Sequence, residues 1–269
     1  MRIITLMENT PGAPDCVHEH GLSLYIRTPR HRLVLDTGAT GAFADNAAAL
    51  GIDLTTVDTV VLSHGHYDHA GGLLRMAELA PGAPIWIRQG AGQDFYHGEK
   101  YIGMDKGILA LPQVRFVQAD LRLDEELFLF GGITGRRYWP QSNLALRVMQ
   151  NGVPVQDDFA HEQCLVVESD GKRVLLSGCA HNGILNILDR YTEIFGGDPD
   201  VVVSGFHMKK GSDYTDEEWR VIEDTAHALL EHKCLFYTGH CTGAPAFARM
   251  AQIMGDRLRP LHSGEELAL

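Results

Sequence analysis

Short apolar, β-branched runs separated by turn residues open the chain. Residues 1–6 read as a strand, and residues 22–27 and 31–35 read as a hairpin turning at Pro29-Arg30. After Asp36-Thr37-Gly38 the Ala-rich stretch 41–50, stopped by Gly51, predicts a helix that leads into a strand at 59–62. Gly71-Gly72 then begins an apolar-periodic run at 73–79, so the local order is strand, polar loop, helix. The middle section, residues 88–143, alternates short strands such as 114–117 with Gly-rich turns, and its pattern is the least decisive; it reads as an insertion. Beyond it, residues 164–168 and 173–176 form a second hairpin turning at Asp170-Gly171, followed by a helix from 183 to 195. The chain then alternates strand 201–204, helix 216–232 capped by Thr215, strand 234–237 and helix 244–254. No repeat or low-complexity linker divides it, so residues 1–269 are expected to form a single α/β domain.

Composition narrows the function classes. With 45% hydrophobic and 22% charged residues the chain is an ordinary globular one, and no apolar run is long enough for a membrane span. The opening segment lacks the apolar core and cleavage site of a signal peptide, so the expected location is cytoplasmic. Five cysteines, none in a C-x-x-C pair, read as reduced thiols. A net charge of −12, from 35 acidic and 23 basic residues, disfavours a nucleic-acid track and favours a small-molecule substrate. The 14 histidines cluster beside Gly, Asp and Cys, which points toward metal; the oligomeric state is open, with a homodimer as one option.

The strongest chemical signal is Ser63-His64-Gly65-His66-Tyr67-Asp68-His69. In an extended segment His64, His66 and Asp68 would face one way, with His69 turning in from the other side. Imidazole and carboxylate together suit zinc first, with iron or manganese as alternatives, and so many ligands in so short a loop imply two adjacent ions.

This string resembles the H-x-H-x-D-H motif of the metallo-β-lactamase superfamily. The resemblance implies an αββα sandwich of two mixed β-sheets flanked by helices, with further ligands in order along the chain. By that order His161, before the second hairpin, is the third ligand of the first metal, and His240 in Thr238-Gly239-His240-Cys241-Thr242-Gly243 binds the second. The superfamily's bridging Asp is replaced by Ser177-Gly178-Cys179, so Cys179 is preferred there, with His181 as the alternative. Residues 19–23, 62–73, 178–183, 205–207 and 239–243 resemble one branch, the 7,8-dihydropterin-6-yl-methyl-4-(β-D-ribofuranosyl)aminobenzene-5′-phosphate synthase-like hydrolases. The likeness carries scaffold and metals rather than the named reaction.

The expected activity is binuclear metal-dependent hydrolysis of a small phosphorylated or otherwise anionic substrate by a metal-activated hydroxide. Asp68 would orient the nucleophile, while His181 or His207 supplies a proton or a hydrogen bond. His20, Arg136, Arg137, Lys209 and Lys210 are candidate substrate contacts. The competing readings are synthase-type transfer, redox chemistry at iron, and a non-catalytic metal-binding protein.

Overall fold

The computed structural model describes residues 1–269. Its first sheet has six strands: β1 (Arg2–Met7), β2 (Ser23–Arg27), β3 (Arg32–Leu35), β4 (Thr59–Leu62), β5 (Ile85–Arg88) and β8 (Val114–Val117). A small sheet pairs β6 (Phe95–His97) and β7 (Lys100–Tyr101) with β11 (Leu146–Gln150) and β12 (Val153–Gln156). The second large sheet orders β17 (Leu258–Pro260), β16 (Leu235–Thr238), β15 (Val201–Val203), β14 (Lys172–Leu176), β13 (Cys164–Ser169), β10 (Leu127–Phe130) and β9 (Leu121–Arg122). Helices α1 (Ala42–Ala49), α2 (Tyr67–Ala70) and α3 (Leu73–Leu79) follow strands of the first sheet. Helices α4 (Ile184–Phe195), α5 (Asp216–Leu229) and α6 (Ala244–Met254) follow strands of the second.

Period-two alternation builds the layers. In β3, Leu33 and Leu35 face the second sheet while Val34 faces the helices; in β14, Val174 and Leu176 face the first sheet while Leu175 faces α4 and α5. Three large buried clusters result, one between the sheets and one under each helical layer, which is the αββα sandwich, and a small fourth lies at the small sheet around Phe95 and Val148. Both faces of these strands are buried, so they read as continuous apolar runs. Thr215 caps α5 in a reciprocal capping box with Glu218, as the sequence predicts.

Two local expectations change. Residues 88–143 are shared among all three sheets, through β8, β9, β10, β6 and β7. The histidine motif is extended only as far as His66, whose ψ is 149°; residues 67–70 then close one helical turn, so Asp68 and His69 project from a helix rather than a strand. The turn is held because Tyr67 N donates to Ile102 O at 2.9 Å and Ala70 N to His66 O at 3.1 Å.

Parallel pairing aims the loops. β3 and β4 run parallel in one sheet, and β14, β15 and β16 run parallel in the other. Their carboxyl ends lead into Asp36, the histidine motif, Cys179, His207 and His240 respectively. The two sheets bring these ends so close that a Cβ at Gly178 would stand 2.1 Å from Ser63 Oγ and 3.1 Å from His64 Nδ1.

Candidate metal centre

Four imidazoles are each held at Nδ1 by a protein oxygen. Asp36, wholly buried, accepts from His69 Nδ1 at 2.6 Å, and from Ser63 N and Oγ at 2.7 Å each. Because the Ser63 hydroxyl donates to Asp36, its oxygen is left to accept from His64 Nδ1 at 2.9 Å. Asn143 donates Nδ2 to His181 O at 2.7 Å, which turns Oδ1 to accept from His181 Nδ1 at 2.9 Å. Asn9 repeats this on His240, with Nδ2 donating to the carbonyl at 3.2 Å and Oδ1 accepting from Nδ1 at 2.8 Å.

These contacts leave four Nε2 lone pairs converging on one buried spot. His69 Nε2 lies 3.1 Å from both His240 Nε2 and Cys179 Sγ, and His64 Nε2 lies 3.3 Å from His181 Nε2. Facing lone pairs repel, so a cation between the neutral His64 and His181 rings would relieve them. Two nitrogens bound tetrahedrally to one zinc ion would sit about 3.3 Å apart, which is the spacing found. The donor set therefore fits metal.

Cys179 Sγ is grouped both with His64 and His181 and with His69 and His240, so it stands between the two halves of the cluster. Asp68 Oδ2 lies 3.3 Å from His240 Nε2 and 3.2 Å from His20 Nε2. His66 Nε2 is buried without a hydrogen-bond partner, and its ring centroid lies 4.6 Å from that of His64 and 4.8 Å from that of His181.

His161 is placed differently. Its Nδ1 accepts from Gly65 N at 3.1 Å, so Nε2 carries the proton and donates to buried Asp157 at 3.2 Å. Both nitrogens are engaged by protein. The ring's donor atoms also lie close to those of His66 and Asp157, a buried group able to hold a metal ion, while the neighbouring Glu162 accepts from His181 N at 2.7 Å and Asn182 N at 2.9 Å.

Backbone strain gathers at the same place. Asp36, Ala180, His207 and His240 have φ of 59°, 52°, 49° and 49°. Such values are uncommon for residues other than glycine and are retained where the surroundings enforce them.

Burial, reinforced by neighbouring rings, lowers His64 and His181 well below the ordinary histidine value. Burial is also the main cause that brings His66 and His207 down to about 3 and His240 down to about 4. Burial works upward on Asp68, yet the hydrogen bond from His20 and the neighbouring imidazoles hold it well below the usual carboxylate range. Burial lowers His69, but Asp36 outweighs it and the net shift is upward. Burial and the adjacent Cys241 push the Cys179 thiol well up, so its ionisation calls for a bound cation.

Five rings are thus lowered, against two histidines raised, His69 here and His31 at a distance beside Asp58 and Asp124, and the lowered ones set the sign of the acid response. Between the ordinary value of 6.5 and about 3, the unfolded chain binds protons that folded His66 and His207 refuse. Their contribution is present above pH 6.5 and is lost as pH falls toward 3. His69 works in the opposite sense. The melting temperature of the metal-free protein should therefore drop continuously from pH 7 to pH 4; a flat profile would show that these rings do not stay neutral in the folded chain.

The cleft above the cluster, about 300 Å³, is lined by His20, His66, Asp68, Cys179, His181 and His207, among others. His207 is partly buried, its Nδ1 has no partner, and its ring centroid lies 4.1 Å from that of His181. Lys209 also lines the cleft, whereas Lys210, at its edge, is tied to Glu218 at 2.7 Å. Arg136 and Arg137 point elsewhere: Arg136 donates to Gly135 O at 2.8 Å and Asp158 O at 3.3 Å, and Arg137 pairs with Asp189 at 3.1 Å. Sequence reasoning missed the orienting residues Asp36, Ser63, Asn9 and Asn143. Only Asp36, polar at the end of an apolar strand and followed by Thr-Gly, left a readable trace.

A family model for the metallo-beta-lactamase superfamily matches residues 18–143. A crystal structure described as a metal-dependent hydrolase of the beta-lactamase superfamily superposes with a TM-score of 0.86 at 33% identity, covering 100% of this chain and 99% of that one. An uncharacterized protein of Methanocaldococcus jannaschii is 26% identical, over 87% of this chain and 88% of its own length. The 7,8-dihydropterin-6-methyl-4-(beta-D-ribofuranosyl)-aminobenzene-5'-phosphate synthase of the same organism is also 26% identical, over 98% and 95%. Zinc-bound PqqB from Methylobacterium extorquens shares the fold, with a TM-score of 0.60 at 14% identity over 100% of both chains. The chain belongs to the metallo-β-lactamase superfamily. No helix is long and apolar enough to cross a membrane.

Proposed function

We propose that this chain is a binuclear metal-dependent hydrolase of small anionic esters, phosphate esters foremost. The first metal would be held by His64, His66 and His181, the second by Asp68, His69 and His240, with Cys179 between them. The observation that carries this reading is the convergence of four protein-oriented Nε2 atoms around the Cys179 thiol. The mixed nitrogen and sulfur donors favour zinc. His181 thus joins Cys179 in the site, where the sequence had set the two as alternatives, and His161 becomes a brace for the histidine loop.

A bound pair of divalent ions lowers the pKa of water toward neutrality and polarises the substrate oxygen. The chain's own residues set the geometry. Asp36, Ser63, Asn9 and Asn143 hold four rings with Nε2 inward, so little reorganisation accompanies binding. Asp68 accepts from His20 Nε2 at 3.2 Å, which fixes its carboxylate at the cleft floor. His207, neutral at pH 7 with its pKa near 3, serves as a hydrogen-bond donor to a developing oxyanion rather than as a full acid. The likeness to the dihydropterin-type synthase is 26% identity over nearly the whole of both chains, and no contact in the cleft favours transfer over hydrolysis.

The test is turnover of a phosphomonoester, phosphodiester and carboxylic ester panel by chelated protein before and after zinc, manganese or iron(II) is restored. Metal-dependent hydrolysis of at least one class is expected. Stoichiometric metal binding without turnover on any ester would sink the hydrolase reading.

A further inference from the structure

We propose that Lys100 and Lys209 form an anion-recognition site at the mouth of the cleft, selecting a small molecule with a second anionic group besides the one that reacts. The location of the reacting group rests on the hydrolase reading above.

Both lysines line the same cleft as His66, Asp68, Cys179 and His181, and they come from different parts of the fold. Lys100 lies on β7, and its Nζ donates to Tyr67 Oη at 3.2 Å while standing 4.8 Å from the Tyr67 ring centroid. Tyr67 is inside the histidine motif, and an isolated bridge between His66 and Gly103 ties that motif to the segment after β7. The Lys100 ammonium is therefore positioned relative to the metal ligands by short connections. Lys209 is anchored by its backbone N, which donates to Cys241 O at 2.8 Å, beside His240.

Among the three lysines that line the cleft, charge pairing sets these two apart from Lys210. Lys106 is neutralised by Asp94 at 2.6 Å and Lys210 by Glu218 at 2.7 Å. Lys100 and Lys209 have no carboxylate within salt-bridge distance, in a chain of net charge −12. The one carboxylate of the cleft, Asp68, is hydrogen-bonded by His20 at 3.2 Å. Two unpaired ammonium groups over a donor set for cations make the mouth locally positive on an acidic molecule. That arrangement discriminates by charge among small ligands, since each ammonium gains a charge-assisted hydrogen bond only from an anionic partner.

The test is equilibrium binding of two phosphonates that the enzyme cannot hydrolyse, benzylphosphonate and 4-(carboxymethyl)benzylphosphonate, to the zinc-loaded protein by calorimetry. The carboxylate-bearing probe is expected to bind about tenfold more tightly. The preference should fall to near unity in the Lys100→Gln, Lys209→Gln double variant and persist in Lys209→Arg. Equal affinities in the unaltered protein, or a preference that survives in the double variant, would overturn the proposal. The ester panel run alongside separates the two readings. Preference without turnover removes hydrolysis and keeps the anion site, whereas turnover without preference removes the anion site alone.

Discussion

Cys179→Ala is expected to lower metal content from about two equivalents toward one and to cut ester turnover by about a hundredfold or more. The thiol is the one side chain whose donor atom is grouped with both pairs of imidazoles, so its loss removes a ligand from each half of the cluster. It is also buried, and its ionisation is strongly disfavoured without a cation. A protein ligand that costs so much to ionise is retained where a metal repays that cost by binding the thiolate. Cys179→Asp, which restores an anionic donor of longer reach, should recover part of the metal and part of the rate. Mass spectrometry of the purified proteins, with parallel rates on the best ester, reads both. Unchanged metal content in Cys179→Ala would remove the thiol from the site.

His181→Ala and His161→Ala should separate cleanly. The first removes an imidazole whose Nε2 faces His64 Nε2 at 3.3 Å, and is expected to lose about one equivalent of metal with a similar hundredfold loss of rate. The second removes a ring with both nitrogens bound by Gly65 and Asp157. It should keep about two equivalents of metal, bound about tenfold more weakly, because the loop between His64 and His66 loses its support. It also leaves Asp157 buried without its partner, so a lower melting temperature is expected as well. The assignment fails if His161→Ala empties a site while His181→Ala does not. Metal titration of the two variants, monitored by calorimetry, distinguishes these outcomes.

The fold shows how far the sequence could be read. Strand β4 and helix α3 were legible because their apolar residues recur with clear periods, and the motif between them declared its chemistry through residue type alone. The order of the later elements was legible for the same reason, since hairpins and helices from β13 to α6 announce themselves by local turns and caps. Residues 88–143 were not, because β6 pairs with β11 and β10 with β13, and such long-range pairing leaves no local trace in strands of two to four residues.

Within the site, spacing identified candidate donors but not the direction of each ring. That direction depends on Asn143 and Asn9 presenting oxygens, on Gly65 presenting an N–H, and on the left-handed backbone at Ala180 that turns His181 inward. Likewise, Arg136 and Arg137 were reasonable anion contacts by residue type, yet the fold commits them to Asp158 O and to Asp189. Lys100 was overlooked because nothing local to β7 links it to the histidine motif; Tyr67 makes that link in space.

The most direct test of the account is the anomalous scattering of zinc-soaked crystals, measured on both sides of the zinc absorption edge. Two peaks are expected about 3.5 Å apart, with Cys179 Sγ between them, His181 at the first and His240 at the second. A single peak, or a first peak bound by His161 in place of His181, would contradict it.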